Sequence, residues 1–312
     1  MIYLKMQGRL GNQFFQYTFA KYVQSITHQA LFINFDRVRK NSKSENDGWD
    51  NALKDFCASE NGSYIEVSNK DIRFFSKLIK LKICRTLISN KQKRKEDGDE
   101  WGISKGVIYC YNPESKQFNI QKEKSYIIDG LFEYNYIVDA VLPLLKNDLE
   151  SKYKGLENNS TLFEKIRNTN SICVSIRKFD LEDSKFTEYY QVCTLEYYYR
   201  AIEYIFKSVP DAKVFVFSDA VDWCKSNFKI REYLNRKDID VFYESGQDPV
   251  WEKLRLMKTC KHFVLSNSTF SWWAQKLSSS ENKIVCAPEF WHKDQETKSI
   301  GIYDEKWILI KN

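Results

Sequence analysis

The chain has little of what metal and redox sites are built from. Its three histidines (His28, His262, His292) are scattered, with no metal-ligand spacing between them. Eight cysteines (57, 84, 110, 173, 193, 224, 260 and 286) never form a Cys-x-x-Cys unit, so no zinc site is expected. Several, such as Cys173 and Cys286, lie inside apolar runs and read as small buried hydrophobes. The chain opens directly on the strand-like MIYLKM, without the long apolar core of a secretory signal. At 312 residues it is also a poor candidate for a disulfide-stapled secreted fold, so reduced thiols and a cytoplasmic location are expected. No run of 18 apolar residues occurs, so no membrane span is expected. The second half has no G-x-G-x-x-G, and a Walker lysine is missing, which excludes the usual dinucleotide and P-loop sites. A net charge of +6 favours anionic ligands. The basic residues do not gather with aromatics as a nucleic-acid interface requires, so no nucleic-acid partner is expected.

What is present is the composition of a globular protein, 43% hydrophobic and 29% charged. Ser171–Ile176 is an almost unbroken apolar run, the pattern of a strand buried on both faces of a parallel sheet. Helical and strand-like segments alternate after it. Helices are read at 195–209, 221–228 and 251–260, with strands at 213–217, 239–243, 262–265 and 283–287, which gives a doubly wound α/β layer. The first half begins strand, Gly8–Gln13 loop, helix, strand, with Phe15, Phe19 and Ile26 on one helical face. Residues 36–121 are less legible. Within them, 77–95 mixes bases with apolar residues. That mixture fits either a basic helix at an anionic membrane surface or a packed helix followed by a solvated loop. A polar cluster around Glu157–Ser160 marks the junction between domains 1–160 and 161–312.

Polar groups gather where strands of the second half end: Arg177, Lys178 and Asp180; Ser218 and Asp219; Asn267, Ser268, Thr269 and Ser271. In one parallel sheet these ends lie side by side, where ligands of such sheets bind. Hydroxyls and N–H groups entering the helix after Thr269 suit phosphate oxygens, and an arginine neutralises them. The pattern describes a nucleotide diphosphate site. Trp272 and Trp273 read as packing residues rather than as a stacking platform. The loop Gly11-Asn12-Gln13 opens the first helix and is a second place for an anion.

Four segments, GRLGNQFFQYTFA (8–20), CVSIRKFDL (173–181), VFSDAVDWCK (216–225) and LMKTCKHFVLSNSTFSWWAQKL (256–277), resemble the α-1,2-fucosyltransferases of glycosyltransferase family 11. The resemblance implies a GT-B fold, two Rossmann-like domains facing a central cleft. It also implies inverting transfer of L-fucose from GDP-β-L-fucose to the 2-hydroxyl of a terminal β-galactoside, free or lipid-linked, with no metal or other cofactor. The family pattern His-x-Arg-Arg-x-Asp falls on 175–180, where this chain keeps Arg177 and Asp180 but has Ser175 and Lys178. Under this resemblance the donor side comprises Gly11, Asn12, Gln13, Ser175, Arg177, Lys178, Ser218, Asp219, Asn267, Ser268, Thr269 and Ser271. Arg177 would stabilise the departing diphosphate. Asp180, Asp183 and Glu188 are the candidates for the base, with Asp180 first; Asp180 could equally hold Arg177. The rival readings are a GT-B transferase of another donor or linkage, and a non-catalytic sugar- or nucleotide-binding protein.

Overall fold

The computed structural model describes residues 1–42, 49–70, 102–110, 117–178, 190, 192–293 and 301–312. The stretch 77–95 and the three candidate bases Asp180, Asp183 and Glu188 lie outside the described residues. The chain divides into two compact units, Met1–Tyr153 joined by Gly301 and Ile302, and Lys154–Lys298 with Tyr303–Asn312.

The first unit holds a parallel sheet of β1 (Ile2–Lys5), β2 (Leu31–Asn34), β3 (Ile65–Glu66), β4 (Val107–Cys110) and β5 (Tyr126–Gly130). Its strand order is β3-β2-β1-β5-β4. The helix Leu10–Thr27 runs between β1 and β2, and its Phe14, Phe15, Phe19 and Val23 are fully buried or nearly so. Those spacings place one stripe on the sheet and a second under the helix Asn135–Leu145, which packs against it. β5 ends on Gly130 because a Cβ there would meet the Cys110 carbonyl at 2.0 Å.

The second unit is also wholly parallel: β6 (Ser171–Ile176), β7 (Lys213–Ser218), β8 (Val241–Tyr243), β9 (His262–Val264), β10 (Val285–Pro288) and β11 (Ile308–Ile310). Every residue of β6 is buried, Ser171 and Ser175 included, as its almost unbroken apolar run leads one to expect. The helix Leu195–Ser208 covers one face, placing Tyr198, Ile202 and Ile205 among Ile172, Val174, Val214 and Val216. Burying each such side chain is worth about 1.5–3 kcal/mol. Thr194 caps this helix, its hydroxyl accepting from the Tyr197 N–H at 3.2 Å. Trp272 and Trp273 are 0% exposed and meet edge-on at 5.1 Å, so they pack the core as their size suggests.

The order β11-β10-β9-β6-β7-β8 positions the site. From β6 the chain builds outward through β7 and β8, then returns to the far side of β6 for β9. Such a reversal leaves a crevice at the carboxyl ends of β6 and β9.

Three strands, β3, β4 and β11, escaped the sequence reading. Two hydrogen-bonded residues make β3, and β4 sits inside a stretch of mixed composition. The unit boundary falls a few residues before the polar cluster. Asn159 explains this, because its amide donates to Glu252 Oε1 at 3.0 Å and holds the cluster to the second unit.

Candidate active site

At the end of β6 the buried run stops at Ile176, and the next two residues turn into a cavity of about 290 Å³. Arg177, Lys178, Thr194, Tyr198 and Trp223 are among its lining groups. That volume is near the lower end of the roughly 300–1,000 Å³ usual for ligand pockets. Arg177 Nη1 lies 2.9 Å from Asp219 Oδ2, with each side chain 24% exposed. The second oxygen, Oδ1, accepts the Lys178 backbone N–H at 2.9 Å. Asp219, at the end of the neighbouring β7, thus ties two consecutive residues of the β6 end. Asp219 pairs with Arg177, a contact the sequence does not announce, since there Asp219 reads only as a donor-side group. Lys178 Nζ sits 4.7 Å from the Trp223 ring centroid, a cation–π contact. Strand alternation does not continue past Ile176, since both charged side chains line the same cavity.

The helix Leu195–Ser208 supplies a run of three tyrosines whose hydroxyls bond to backbone, the first two of them near strand ends. Tyr197 donates to the Leu265 carbonyl at 2.6 Å, just beyond β9. Tyr198 accepts from the Arg177 N–H at 3.4 Å, and Tyr199 from the Lys229 N–H at 2.7 Å. Burial pushes the Tyr198 phenol well above its ordinary value, so it stays protonated.

The polar cluster after β9 divides by role. Ser268 caps the helix Thr269–Leu277, its Oγ accepting from the Phe270 N–H at 3.3 Å. Ser268 and Thr269 stay half-buried at that helix start but do not line the cavity. Asn267 donates both amide hydrogens to carbonyls, Tyr190 at 2.6 Å and Trp291 at 2.9 Å. Buried Ser271 donates to the carbonyls of Ser266 and Ser268 at 3.2 and 2.8 Å. These two therefore shape the loop. Ser175 is buried within β6 beside Phe217 of β7. At the β7 end, Ser218 Oγ accepts from the Ala220 N–H at 3.0 Å and so folds the turn.

Gly11, Asn12 and Gln13 belong to the first unit. The Gln13 amide donates to the carbonyls of Gly8 at 2.9 Å and Asp50 at 2.7 Å, and its oxygen accepts from Ala52 N–H at 2.9 Å. Gln13 is 0% exposed, so both donors are committed to loop backbone. Gly8 carries the conformational demand, with φ +74° and Asn12 Nδ2 2.7 Å from where a Cβ would sit. Gly11 is buried and Asn12 half-buried.

Sequence reasoning missed Tyr198 and Trp223 as lining groups of this cavity; the signal was there in the EYYYR run that opens the helix after β6 and in the VDWCK run just after β7. Among the described residues no group of three or more His, Cys, Asp or Glu is placed to hold a metal ion. Likewise, no described helix is long and apolar enough to cross a membrane.

Two wholly parallel α/β units, with charged groups at the strand ends of the second, have the layer architecture of GT-B glycosyltransferases. The family description "Glycosyl transferase family 11" matches residues 1–311, and the chain belongs to that family. An "Alpha-1,2-colitosyltransferase" of Escherichia coli is 26% identical over 317 residues, covering 100% of this chain and 99% of the relative. The "O-antigen biosynthesis glycosyltransferase WbnK" of Escherichia coli is 24% identical over 334 residues, covering 98% and 99%. Among solved structures, a GDP complex of an Arabidopsis thaliana FUT1 variant superposes with a TM-score of 0.51 at 11% identity. It covers 91% of this chain and 69% of that one, a likeness of fold.

Proposed function

We propose that this chain transfers L-fucose from GDP-β-L-fucose to the 2-hydroxyl of a terminal β-galactoside, inverting the anomeric centre. The observation that carries the reading is Arg177, held by Asp219 at 2.9 Å beside a cavity at the carboxyl end of β6. The departing GDP gains negative charge as the glycosidic bond breaks, and a guanidinium already oriented there stabilises it without reorganising. Lys178 adds a point charge. Ser268, Thr269 and the N–H groups opening the next helix supply neutral donors on the other side of the β6–β9 crevice. These groups do for the diphosphate what a metal ion does elsewhere, so turnover is proposed to be metal-independent. Asp180, Asp183 and Glu188 remain the proposed sources of the base that takes the acceptor proton. Gly11 and Asn12 are proposed to serve the donor from the first unit, with Gln13 bracing their loop. The acceptor is read as an oligosaccharide, free or lipid-linked. Any contact with the inner face of the membrane would fall to 77–95, the alternative for that stretch being a packed helix and a solvated loop, and the enzyme is read as cytoplasmic.

A second reading is favoured by the colitosyltransferase relative: the same linkage with a colitosyl donor. Colitose is fucose without its 3-hydroxyl, so the two donors differ by one polar contact. Purified protein should release GDP from GDP-fucose only when lactose is present, and linkage analysis should find an α-1,2 product. Binding of GDP-fucose without turnover would favour a non-catalytic binding protein. Turnover of the 3-deoxy donor at a kcat/KM more than tenfold higher would make the chain a colitosyltransferase.

A further inference from the structure

We propose that Glu244 is a positioning residue for the donor site, holding the Ser218–Asp219 turn so that Asp219 aims Arg177, with Lys253 as its counter-ion. This rests on the reading of Arg177 and Asp219 given above.

The local geometry carries the argument. β7 and β8 pair through Val214–Val216 and Val241–Tyr243, and their last backbone bond runs from Glu244 N–H to the Val216 carbonyl at 3.2 Å. One step further, the Ser218 N–H needs an acceptor, but β8 has already ended. The Glu244 carboxylate fills the gap, with Oε1 accepting from Ser218 N–H at 2.8 Å. Ser218 is adjacent to Asp219, whose two oxygens hold Arg177 and the Lys178 N–H, both at 2.9 Å. Fixing one peptide therefore fixes the direction from which the carboxylate meets the guanidinium.

Glu244 is 3% exposed, and its other oxygen lies 3.1 Å from Lys253 Nζ on the helix Val250–Thr259. Burial pushes the Glu244 carboxyl up, and the Lys253 ammonium works against that shift. Lys253 also reaches the Gly246 carbonyl at 3.4 Å, inside the turn that leads from β8 to that helix. A buried ion pair is seldom the most stable way to fill such a space, since well-packed apolar residues often do as well or better. What it offers here is a charged acceptor at a fixed point behind the turn.

A residue that merely staples two strand ends would affect folding but not act through Asp219. A double-mutant cycle separates the two roles. Glu244→Ala should lower kcat about tenfold in the wild-type background, with acceptor KM changed less than twofold. In an Asp219→Asn background the same change should cost less than twofold. Glu244→Gln keeps an oxygen for the Ser218 N–H and should lie within about threefold of wild type. Where turnover of Asp219→Asn is too slow to read, GDP affinity by calorimetry gives the same cycle. If Glu244→Ala does not fold, Lys253→Met replaces it, with a loss of about threefold that disappears beside Asp219→Asn. Equal losses in both backgrounds overturn the inference and leave the site reading intact. An Asp219→Asn enzyme with kcat within twofold of wild type overturns the site reading, and this inference with it.

Discussion

Replacing Arg177 tests the site most directly, because its two roles predict effects of different size. In the resting protein its guanidinium meets Asp219 at 2.9 Å, with both side chains 24% exposed. A pair that wet contributes about 0–1 kcal/mol to stability. For a protein of this size that moves Tm by no more than roughly 4 °C. The stabilisation of a departing diphosphate is larger, since losing one donor to a developing oxyanion costs about 100- to 1,000-fold in kcat, roughly 3–4 kcal/mol. Arg177→Ala should therefore cut kcat by that factor, raise donor KM less, and leave Tm nearly unchanged. Arg177→Lys should recover only part of the loss, because a point charge cannot give two parallel hydrogen bonds. Initial rates of GDP release with saturating acceptor, together with thermal melts of the same preparations, give both quantities. An Arg177→Ala enzyme that melts much lower yet turns over within a few-fold of wild type would make the arginine a strand-end tie and refute the reasoning.

Lys178→Ala should cost less than tenfold in kcat, since its ammonium rests 4.7 Å from the Trp223 ring; a loss matching Arg177→Ala would put it in the same role. Gln13→Ala should destabilise by about 2–4 kcal/mol, from three lost bonds to buried backbone, with donor KM little changed in protein that still folds. Turnover should survive excess EDTA, and loss restored by Mn²⁺ would contradict the assignment of the diphosphate to Arg177. Burial holds the His292 imidazole down from an ordinary 6.5 to about 4, so the unfolded chain binds that proton more readily between those values. Stability should therefore fall as pH drops from 6.5 towards 4, and His292→Phe should flatten that part of a Tm–pH curve.

The second unit was legible because its strands are buried on both faces. A run such as Ser171–Ile176 has no polar alternation to confuse it with a helix, and its end is marked by the charges that follow. The helices between strands announced themselves through spacings such as Tyr198, Ile202 and Ile205. The first unit was harder to read because β3 is two residues long and both of them are exposed. Pairings across the sheet were also out of reach. The Arg177–Asp219 contact joins residues 42 apart, through a β6–β7 register that no local pattern encodes. The sequence supplied both residues and their strand ends but not their partnership.

The same limit explains why residues of one motif part company. In SNSTFSWWAQKL, the amide of Asn267 is spent on two carbonyls and the hydroxyl of Ser271 on two more. Ser268 gives its oxygen to the Phe270 N–H and begins the helix. Residues whose hydrogen bonds are closed within the loop set its shape, so their loss costs stability before it costs affinity. The same logic divides Gly11-Asn12-Gln13, where Gln13 closes three bonds to backbone. What separates Arg177 from these is that its partner is another charged side chain, 24% exposed, at the edge of a cavity. A phosphate entering that cavity can meet the guanidinium while Asp219 keeps hold of Nη1, because the arginine fork carries several N–H donors. Asn267 offers a ligand no such contact, since each carbonyl it releases would be left buried without a donor.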